Sequence, residues 1–203
     1  MIPSIRVCSI VFCWVLSGLL SSALLFAAEP PGKQSRPFEQ RVPVPIEAVR
    51  IDDGDTLKIV WAAGDEEIVR ILGIDTPETR HDEHDIPFDQ PFGREATAFA
   101  RGVFAMADKV ELLRAATVDP YGRTLGYVYV NGKNFSVVIL RAGLAVESVS
   151  AFGDNGFPQQ AAECVEAAKA AGPAPFEPPH VFRKRMRAVA ERMRADGLLP
   201  PKP

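Results

Sequence analysis

The chain has 203 residues, of which 47% are hydrophobic, and it carries a net charge of −3. This length accommodates one medium domain with a core plus extensions, and the acidic balance lacks the basic surface that usually marks a nucleic-acid-binding protein. Its cysteines are Cys8, Cys13 and Cys164, and because the first two lie in an N-terminal leader, an intramolecular disulfide is excluded downstream of it.

The N-terminus has the layout of a secretory signal. Arg6 precedes an apolar run that extends to about Ala28, and the small residues Ser21–Ala23 offer a cleavage site. We therefore expect residues 1–28 to be a signal peptide and the protein to be secreted or periplasmic. If the leader is not cleaved, the same run is long enough to span a bilayer and would anchor the protein in a membrane, facing outside.

Turn signals and alternating apolar residues predict an antiparallel meander after a linker. Residues 29–45 are polar and rich in proline, which predicts a flexible linker. The Asp53-Gly54 turn and a second turn at Ala63–Asp65 then separate the first three strands. These strands are predicted at Ile46–Asp53, Thr56–Trp61 and Glu67–Ile74.

The rest of the domain alternates helices with two further strands. Helices are predicted at Gly93–Ala107, Asn134–Ala142 and Pro158–Ala171, and strands at Lys109–Leu113 and Thr124–Val130. Five short strands with three helices indicate an α+β domain that is mainly β. This strand count is that of the five-stranded oligonucleotide-binding (OB) barrel, and the predicted domain covers residues 46–176.

A Pro-rich boundary separates this domain from a C-terminal extension, residues 177–203, that is predicted to form a basic helix. The segment 180–195 contains six lysine and arginine residues and an apolar stripe that includes Phe182 and Met186. One interpretation is a solvated helix that docks on the barrel by this stripe. The other is a helix that binds phosphate or an anionic surface.

Charged side chains recur at the ends of the predicted strands, where barrel loops can converge. They are Asp55, Arg70, Asp75, Thr76, Glu78 and Arg123. Two aspartates and a threonine without a neighbouring cysteine favour a hard cation such as Ca²⁺, and two guanidinium groups match phosphate oxygens. A glutamate beside them can accept a proton from an attacking water. These residues indicate metal-assisted hydrolysis of a phosphodiester.

Four motifs carry a family resemblance: residues 53–56 (Asp-Gly-Asp-Thr), 70–79, 91–96 and 121–123 (Tyr-Gly-Arg). In this order they resemble the staphylococcal nuclease (thermonuclease) family, over a match from about residue 46 to 176. The resemblance implies a five-stranded OB barrel with three helices. It also implies a Ca²⁺-dependent endonuclease that acts on DNA and RNA and leaves 3′-phosphate ends, with no stable protein partner.

The resemblance also assigns roles to individual residues, and the assigned set is complete. Asp55 and Asp75 look like the Ca²⁺ carboxylates, with the main-chain carbonyl of Thr76 as a further ligand. The predicted catalytic residues are Glu78, which looks like the general base, and Arg70 and Arg123, which look like phosphate clamps. Tyr121 resembles the tyrosine of the family that lies near a substrate phosphate.

The departures from the family lie outside this set. The loop after Glu78 is acidic at 81–89 where the family is lysine-rich, Pro120 replaces a lysine, and Val146–Ala151 contains no aromatic residue to stack a base. We therefore expect weaker and less salt-sensitive binding of nucleic acid, partly restored by the basic segment at 183–194. The alternative function is a nuclease-fold nucleic-acid-binding module with weak or no catalysis, anchored to the membrane if the leader is uncut.

Overall fold

The computed structural model describes residues 32–202, so the predicted leader lies outside the described residues. The strands are β1 (Arg41–Val44), β2 (Val49–Ile51), β3 (Thr56–Val60), β4 (Glu66–Ile71), β5 (Ile74–Asp75), β6 (Val110–Val118), β7 (Thr124–Val130), β8 (Lys133–Asn134) and β9 (Val146–Glu147). The helices are α1 (Gly93–Ala105), α2 (Phe135–Arg141), α3 (Val149–Phe152), α4 (Pro158–Ala171) and α5 (Pro179–Ala195). Within residues 32–202, no helix is both long and apolar enough to cross a membrane.

A mixed sheet with the order β1-β6-β7-β4-β3-β2 forms the body of the domain and curls into a half-barrel. Its neighbouring strands run antiparallel, except that β4 and β7 are parallel. Strand β8 pairs with β7, and β5 pairs separately with β9. The parallel contact brings the end of β4 and the start of β7 together, which positions residues of the candidate site.

One apolar cluster joins this sheet to the helices. In β4, residues Val69 and Ile71 are buried while Ile68 is exposed, as expected of a strand with one covered face. The covered face packs in the same cluster as Phe104 of α1 and Ile139 of α2. The domain is therefore α+β, as predicted, with substantial strand content and with its core between the sheet and the helices.

The strand predicted at 109–113 extends further, because β6 runs to Val118, and two other predicted strands have different bounds for local reasons. The predicted strand at 46–53 is reduced to β2 because Ile46–Ala48 forms a 3-10 turn. The predicted strand at 67–74 breaks at Gly73, whose φ of +80° favours glycine. A Cβ at Gly73 would also lie 2.6 Å from Cys164 Sγ. The chain therefore turns out of the main sheet there, and β5 pairs with β9 instead.

The prediction that residues 29–45 form a flexible linker is wrong for its described part. Residues 41–44 are the edge strand β1, which pairs with β6, and Val44 is buried. Before it, Gln34 is buried and donates to the hydroxyl of Thr124 at 3.3 Å. Pro43 does not prevent pairing because an edge strand tolerates a residue that lacks an N–H. The proline content of this segment therefore marks a sheet edge.

A buried ion pair crosses the sheet between β4 and β6. Glu67 and Arg114 are 4% and 3% exposed, and two guanidinium nitrogens of Arg114 donate to the two oxygens of Glu67 at 2.7 and 2.8 Å. The Thr124 hydroxyl and the Trp61 indole N–H also donate to this carboxylate. Burial raises the pKa of Glu67, but these hydrogen bonds outweigh it and hold the pKa below its ordinary value.

We predict that Arg114→Ala lowers the free energy of unfolding by about 3–5 kcal/mol, because the buried Glu67 carboxylate loses its two-pronged ionic partner and keeps only the more distant Arg36, at 3.7 Å, as a cationic neighbour. Urea denaturation followed by circular dichroism measures this loss. Lys58→Ala is the control, since the Lys58–Glu66 pair lies on the surface and its removal should cost at most about 1 kcal/mol. Equal effects of the two substitutions would contradict this account of the pair.

Candidate active site

The two predicted metal carboxylates come together in the structure. Asp55 precedes β3 and Asp75 ends β5, and both are buried, at 6% and 5% exposure. Arg70 of β4 bridges them, with Nη1 2.9 Å from Asp55 Oδ1 and Nη2 3.1 Å from Asp75 Oδ1. Since both carboxylates contact one guanidinium, residues 20 positions apart in the sequence form a single cluster of charge.

A tight turn holds Asp55 in this position. The side chain of Asp53 accepts hydrogen bonds from the backbone N–H groups of Asp55 and Thr56, at 3.0 and 2.7 Å. Burial and the neighbouring Asp55 carboxylate raise the pKa of Asp53 to about 7. Gly54 is required for packing, because a Cβ there would lie 2.8 Å from the side chain of Thr76.

Thr76 lies beside the two aspartates, where the sequence places it. Its backbone N–H donates to Asp55 Oδ2 at 2.8 Å, and the residue is 2% exposed.

The side chain of Arg70 is more buried, and makes more contacts within the protein, than is expected of an arginine that only binds a substrate phosphate. Its guanidinium also donates to the carbonyls of Ile71 and Ile74, at 3.2 and 3.1 Å, and its side chain is 18% exposed. Its predicted contact with phosphate stays a prediction.

Glu78 lies at the mouth of this cluster, and its side chain is 16% exposed. Its backbone is fixed by Gln90, whose side-chain oxygen accepts from Glu78 N–H at 3.2 Å and whose N–H donates to the Glu78 carbonyl at 2.8 Å. Burial raises the pKa of Glu78 above its ordinary value, against the opposing effect of Arg183. Its role as general base stays a prediction.

Arg123 and Tyr121 lie at the start of β7. Arg123 directly precedes β7, whose Leu125 pairs with Arg70 of β4. Asp119, which the sequence analysis did not single out, orients Arg123 by accepting from its backbone N–H at 2.8 Å and from Nε at 2.7 Å. Tyr121 is 82% exposed, and its ring centre is 5.7 Å from the guanidinium carbon of Arg123. Both side chains are accessible to a ligand.

Arg183 of α5 is a further residue of the site that the sequence did not indicate. Its guanidinium donates to both oxygens of Asp75, at 3.0 and 2.9 Å, and to Glu78 Oε1 at 2.5 Å. The only signal in the sequence was the position of Arg183 directly after Phe182, on the edge of the apolar stripe. That stripe indicates which face of the helix docks, but not which side chains more than 100 residues earlier it approaches.

Helix α5 docks on the acidic loop that follows Glu78. Phe182 and Met186 are buried against Ile86, with Val189 packed beside them. At the other end of the helix, Arg194 lies 2.5 Å from Asp85. The structure therefore has the docked arrangement, and the acidic loop is the docking surface. Several basic side chains of the segment that was expected to bind nucleic acid instead pair within the chain: Arg183, Arg185 and Arg194.

The predicted cation ligands are all oxygen donors, the type that a hard cation prefers. Such an ion takes oxygen donors and accepts solvent in the remaining positions, so the carboxylates of Asp55 and Asp75 and the carbonyl of Thr76 fit it by type. Between residues 32 and 202, no group of three or more His, Cys, Asp or Glu side chains is arranged around a common point for a metal. Of the two predicted carboxylate ligands, Asp55 contacts Arg70, whereas Asp75 contacts both Arg70 and Arg183.

Comparison with known proteins gives consistent matches. A family model described as staphylococcal nuclease homologue matches residues 68–173, about half of the chain. Endonuclease YncB of Bacillus subtilis (strain 168) is 36% identical over 97 residues, which are 47% of this chain and 44% of that protein. A thermonuclease of Staphylococcus intermedius is 37% identical over 97 residues, 47% of this chain and 55% of its own.

A longer match is to a thermonuclease of Staphylococcus hyicus, which is 30% identical over 132 residues, 64% of this chain and 75% of that protein. The match to the B. subtilis endonuclease and the S. intermedius thermonuclease spans only about half of their own length. The family model includes Arg70, Asp75, Glu78 and Arg123, whereas Asp55 precedes it and Arg183 follows it.

Proposed function

Because the chain belongs to the staphylococcal nuclease family, we propose that it is a Ca²⁺-dependent endonuclease that hydrolyses phosphodiester bonds of DNA, RNA or both. The observation that carries this proposal is the cluster of Asp55 and Asp75 around Arg70. Glu78 joins this cluster through Arg183, which also contacts Asp75, and Arg123 directly precedes β7, the strand that pairs with β4. The names of the similar proteins, endonuclease and thermonuclease, support the same class of reaction.

In this proposal each residue has one role. Asp55, Asp75 and the carbonyl of Thr76 would hold the Ca²⁺ ion, which would neutralise negative charge on the phosphate when bound. Glu78 accepts the proton of the attacking water. Their buried surroundings strengthen these interactions, because charges act over a lower effective dielectric there than in water.

The arginines contact the scissile phosphate in the same scheme. Arg123 is oriented by Asp119 and lies at an accessible edge of the site, so it can present its Nη groups to two phosphate oxygens. Arg70 neutralises the paired aspartates and reaches the phosphate from the strand. Tyr121 lies beside Arg123 and contacts the substrate near its phosphate. Charge that develops on the phosphate during attack is then stabilised by fixed cations.

The second candidate function is a nucleic-acid-binding module of the same fold with weak or no catalysis. The observation that favours it is the contact of Arg183 with Glu78 and Asp75, which engages the proposed base and a proposed cation ligand.

We also propose that the protein is exported, either as a secreted or periplasmic enzyme or as one that an uncut leader anchors to the membrane, facing outside. Extracellular calcium concentrations suit a site of about millimolar affinity.

A digestion assay tests the proposed function. Single-stranded DNA, duplex DNA and RNA are each incubated with the protein in Ca²⁺, in Mg²⁺ and in chelator, and the products are separated by gel electrophoresis. The proposal expects cleavage in Ca²⁺ that stops in chelator. Binding of nucleic acid in a gel-shift assay without cleavage in any cation would favour the second candidate.

We further predict that Gly93→Ala reduces the rate of cleavage by about tenfold or more, because misplacing a reacting group by a fraction of an ångström is costly. A Cβ at Gly93 would lie 2.2 Å from the carbonyl oxygen of Glu78, so the backbone that carries Glu78 must move. Gly102→Ala in the same helix is the control, since no atom lies within 4 Å of its Cβ. Initial rates that are equal for these two variants would contradict the prediction.

A further inference from the structure

Arg183 engages the candidate site more completely than any other basic residue of the C-terminal segment does. Both oxygens of Asp75 accept from its guanidinium, and Nη1 also contacts Glu78. Its side chain is 27% exposed, so solvent screens these contacts only in part. Two residues with different proposed roles, a cation ligand and the base, are therefore held by one side chain.

A Ca²⁺ ion and Arg183 need the same atoms. The oxygens of Asp75 are already shared between Arg70 and Arg183, and a carboxylate offers about four lone-pair positions in all. A divalent ion beside Asp75 would also repel the guanidinium at this short range. Binding of the ion at the Asp75 carboxylate is therefore expected to weaken or break the contact with Arg183.

The position of Arg183 is enforced by a built docking surface. Phe182 and Met186, which flank it on α5, are buried against Ile86. The segment before the helix is fixed as well, because the side chain of Gln90 donates to the carbonyl of Glu177 at 2.7 Å. This tether gives the guanidinium a high effective concentration at Asp75. Helix α5 and the segment before it lie C-terminal to the family match, which ends at residue 173.

We propose that Arg183 is a tethered competitor of the cation: docked α5 restrains the site by holding Asp75 and Glu78, and Ca²⁺ displaces the guanidinium. The proposal rests on the proposed function, because it takes Asp75 as a cation ligand. The proposal accounts for two features of the loop after Glu78, its acidic side chains and the apolar residue Ile86, because both hold α5 in place. Restraint by α5 shifts the Ca²⁺ concentration that activity requires to a higher value than the aspartates alone would need.

Isothermal titration with Ca²⁺ tests the competition without measuring activity. Arg183→Gln is expected to bind Ca²⁺ about tenfold or more tightly than the wild type, corresponding to about 1.4 kcal/mol. The matched control is Arg187→Gln, one turn along α5 on its exposed side, which is expected to bind as the wild type does. Arg183→Lys keeps the charge but loses the two-pronged contact, so an intermediate affinity is expected. Circular dichroism confirms that each variant is folded.

Hydrogen exchange of α5 gives a second readout on the wild type. Added Ca²⁺ is expected to speed amide exchange in residues 179–195, because the ion removes one of the contacts that hold the helix. Equal Ca²⁺ affinity of Arg183→Gln and wild type, or exchange in α5 that Ca²⁺ does not change, would overturn the proposal and leave the nuclease function standing. Absence of Ca²⁺ binding in every protein, including Arg183→Gln, would overturn the cation site itself and the competition with it.

Discussion

Glu78→Gln is expected to lower kcat for DNA cleavage by about 10²–10⁴-fold, the usual contribution of a general base. Glutamine has nearly the shape of glutamate but cannot accept a proton from water at neutral pH. The backbone that carries Glu78 is fixed by Gln90, so the substitution should leave the position of the group unchanged. Initial rates at saturating Ca²⁺ and saturating substrate measure the effect.

The control for this variant is Glu95→Gln, which changes an exposed glutamate on α1. It should leave kcat unchanged, and the Ca²⁺ affinity of Glu78→Gln should not fall, because Asp55 and Asp75 remain. A kcat for Glu78→Gln within a factor of about two of wild type would show that another group accepts the proton, since any real base contributes far more.

Arg123→Ala is expected to lower kcat/KM by about 10²–10³-fold, the usual cost of removing one donor to a developing oxyanion. Asp119 holds the guanidinium through Nε, which leaves its remaining nitrogens to face the phosphate. Arg123→Lys should recover only part of the rate, because an ammonium keeps the charge but cannot make a two-pronged contact. Steady-state kinetics on a defined oligonucleotide measure these rates.

An exposed arginine on α2, Arg141, supplies the matched control for charge. Arg141→Ala removes the same charge from the protein and should change kcat/KM by less than a factor of about three, since the charge of an exposed side chain outside the candidate site is screened by salt. If Arg141→Ala and Arg123→Ala lose activity equally, Arg123 acts through net charge and the role of a phosphate clamp is wrong.

Most of the fold was predictable because local patterns determine it. Alternation along Thr56–Trp61 predicts β3, the turns at Pro120–Gly122 and Asn131-Gly132 frame β7, and Pro158 with Gly172 frames α4. The predicted metal ligands also lie together, since the Asp53-Gly54 turn and the end of β5 are ordered by neighbouring strands. Resemblance to the family supplied the roles, which the structure does not test.

What the sequence could not predict depends on contacts between distant segments. The pairing of β1 with β6 depends on a sheet edge formed by residues far along the chain, whereas the polar, proline-rich composition of residues 29–45 indicated a linker. The break at Gly73 is set by the side chain of Cys164 on a helix far along the chain. The contact of Arg183 with Asp75 joins residues 108 positions apart. The spacing of apolar residues predicts which face of a helix is buried, but it does not predict which segment of the chain packs against that face.

The central claim is that water bound at this site attacks phosphorus, and isotope labelling of the products tests it most directly. A DNA oligonucleotide is digested by the wild type with Ca²⁺ in ¹⁸O-enriched water, and the fragments are weighed by mass spectrometry. The account predicts one ¹⁸O atom in the new terminal phosphate and no cleavage in chelator. Label in the new hydroxyl instead of the phosphate, or an intact oligonucleotide in Ca²⁺, would contradict it.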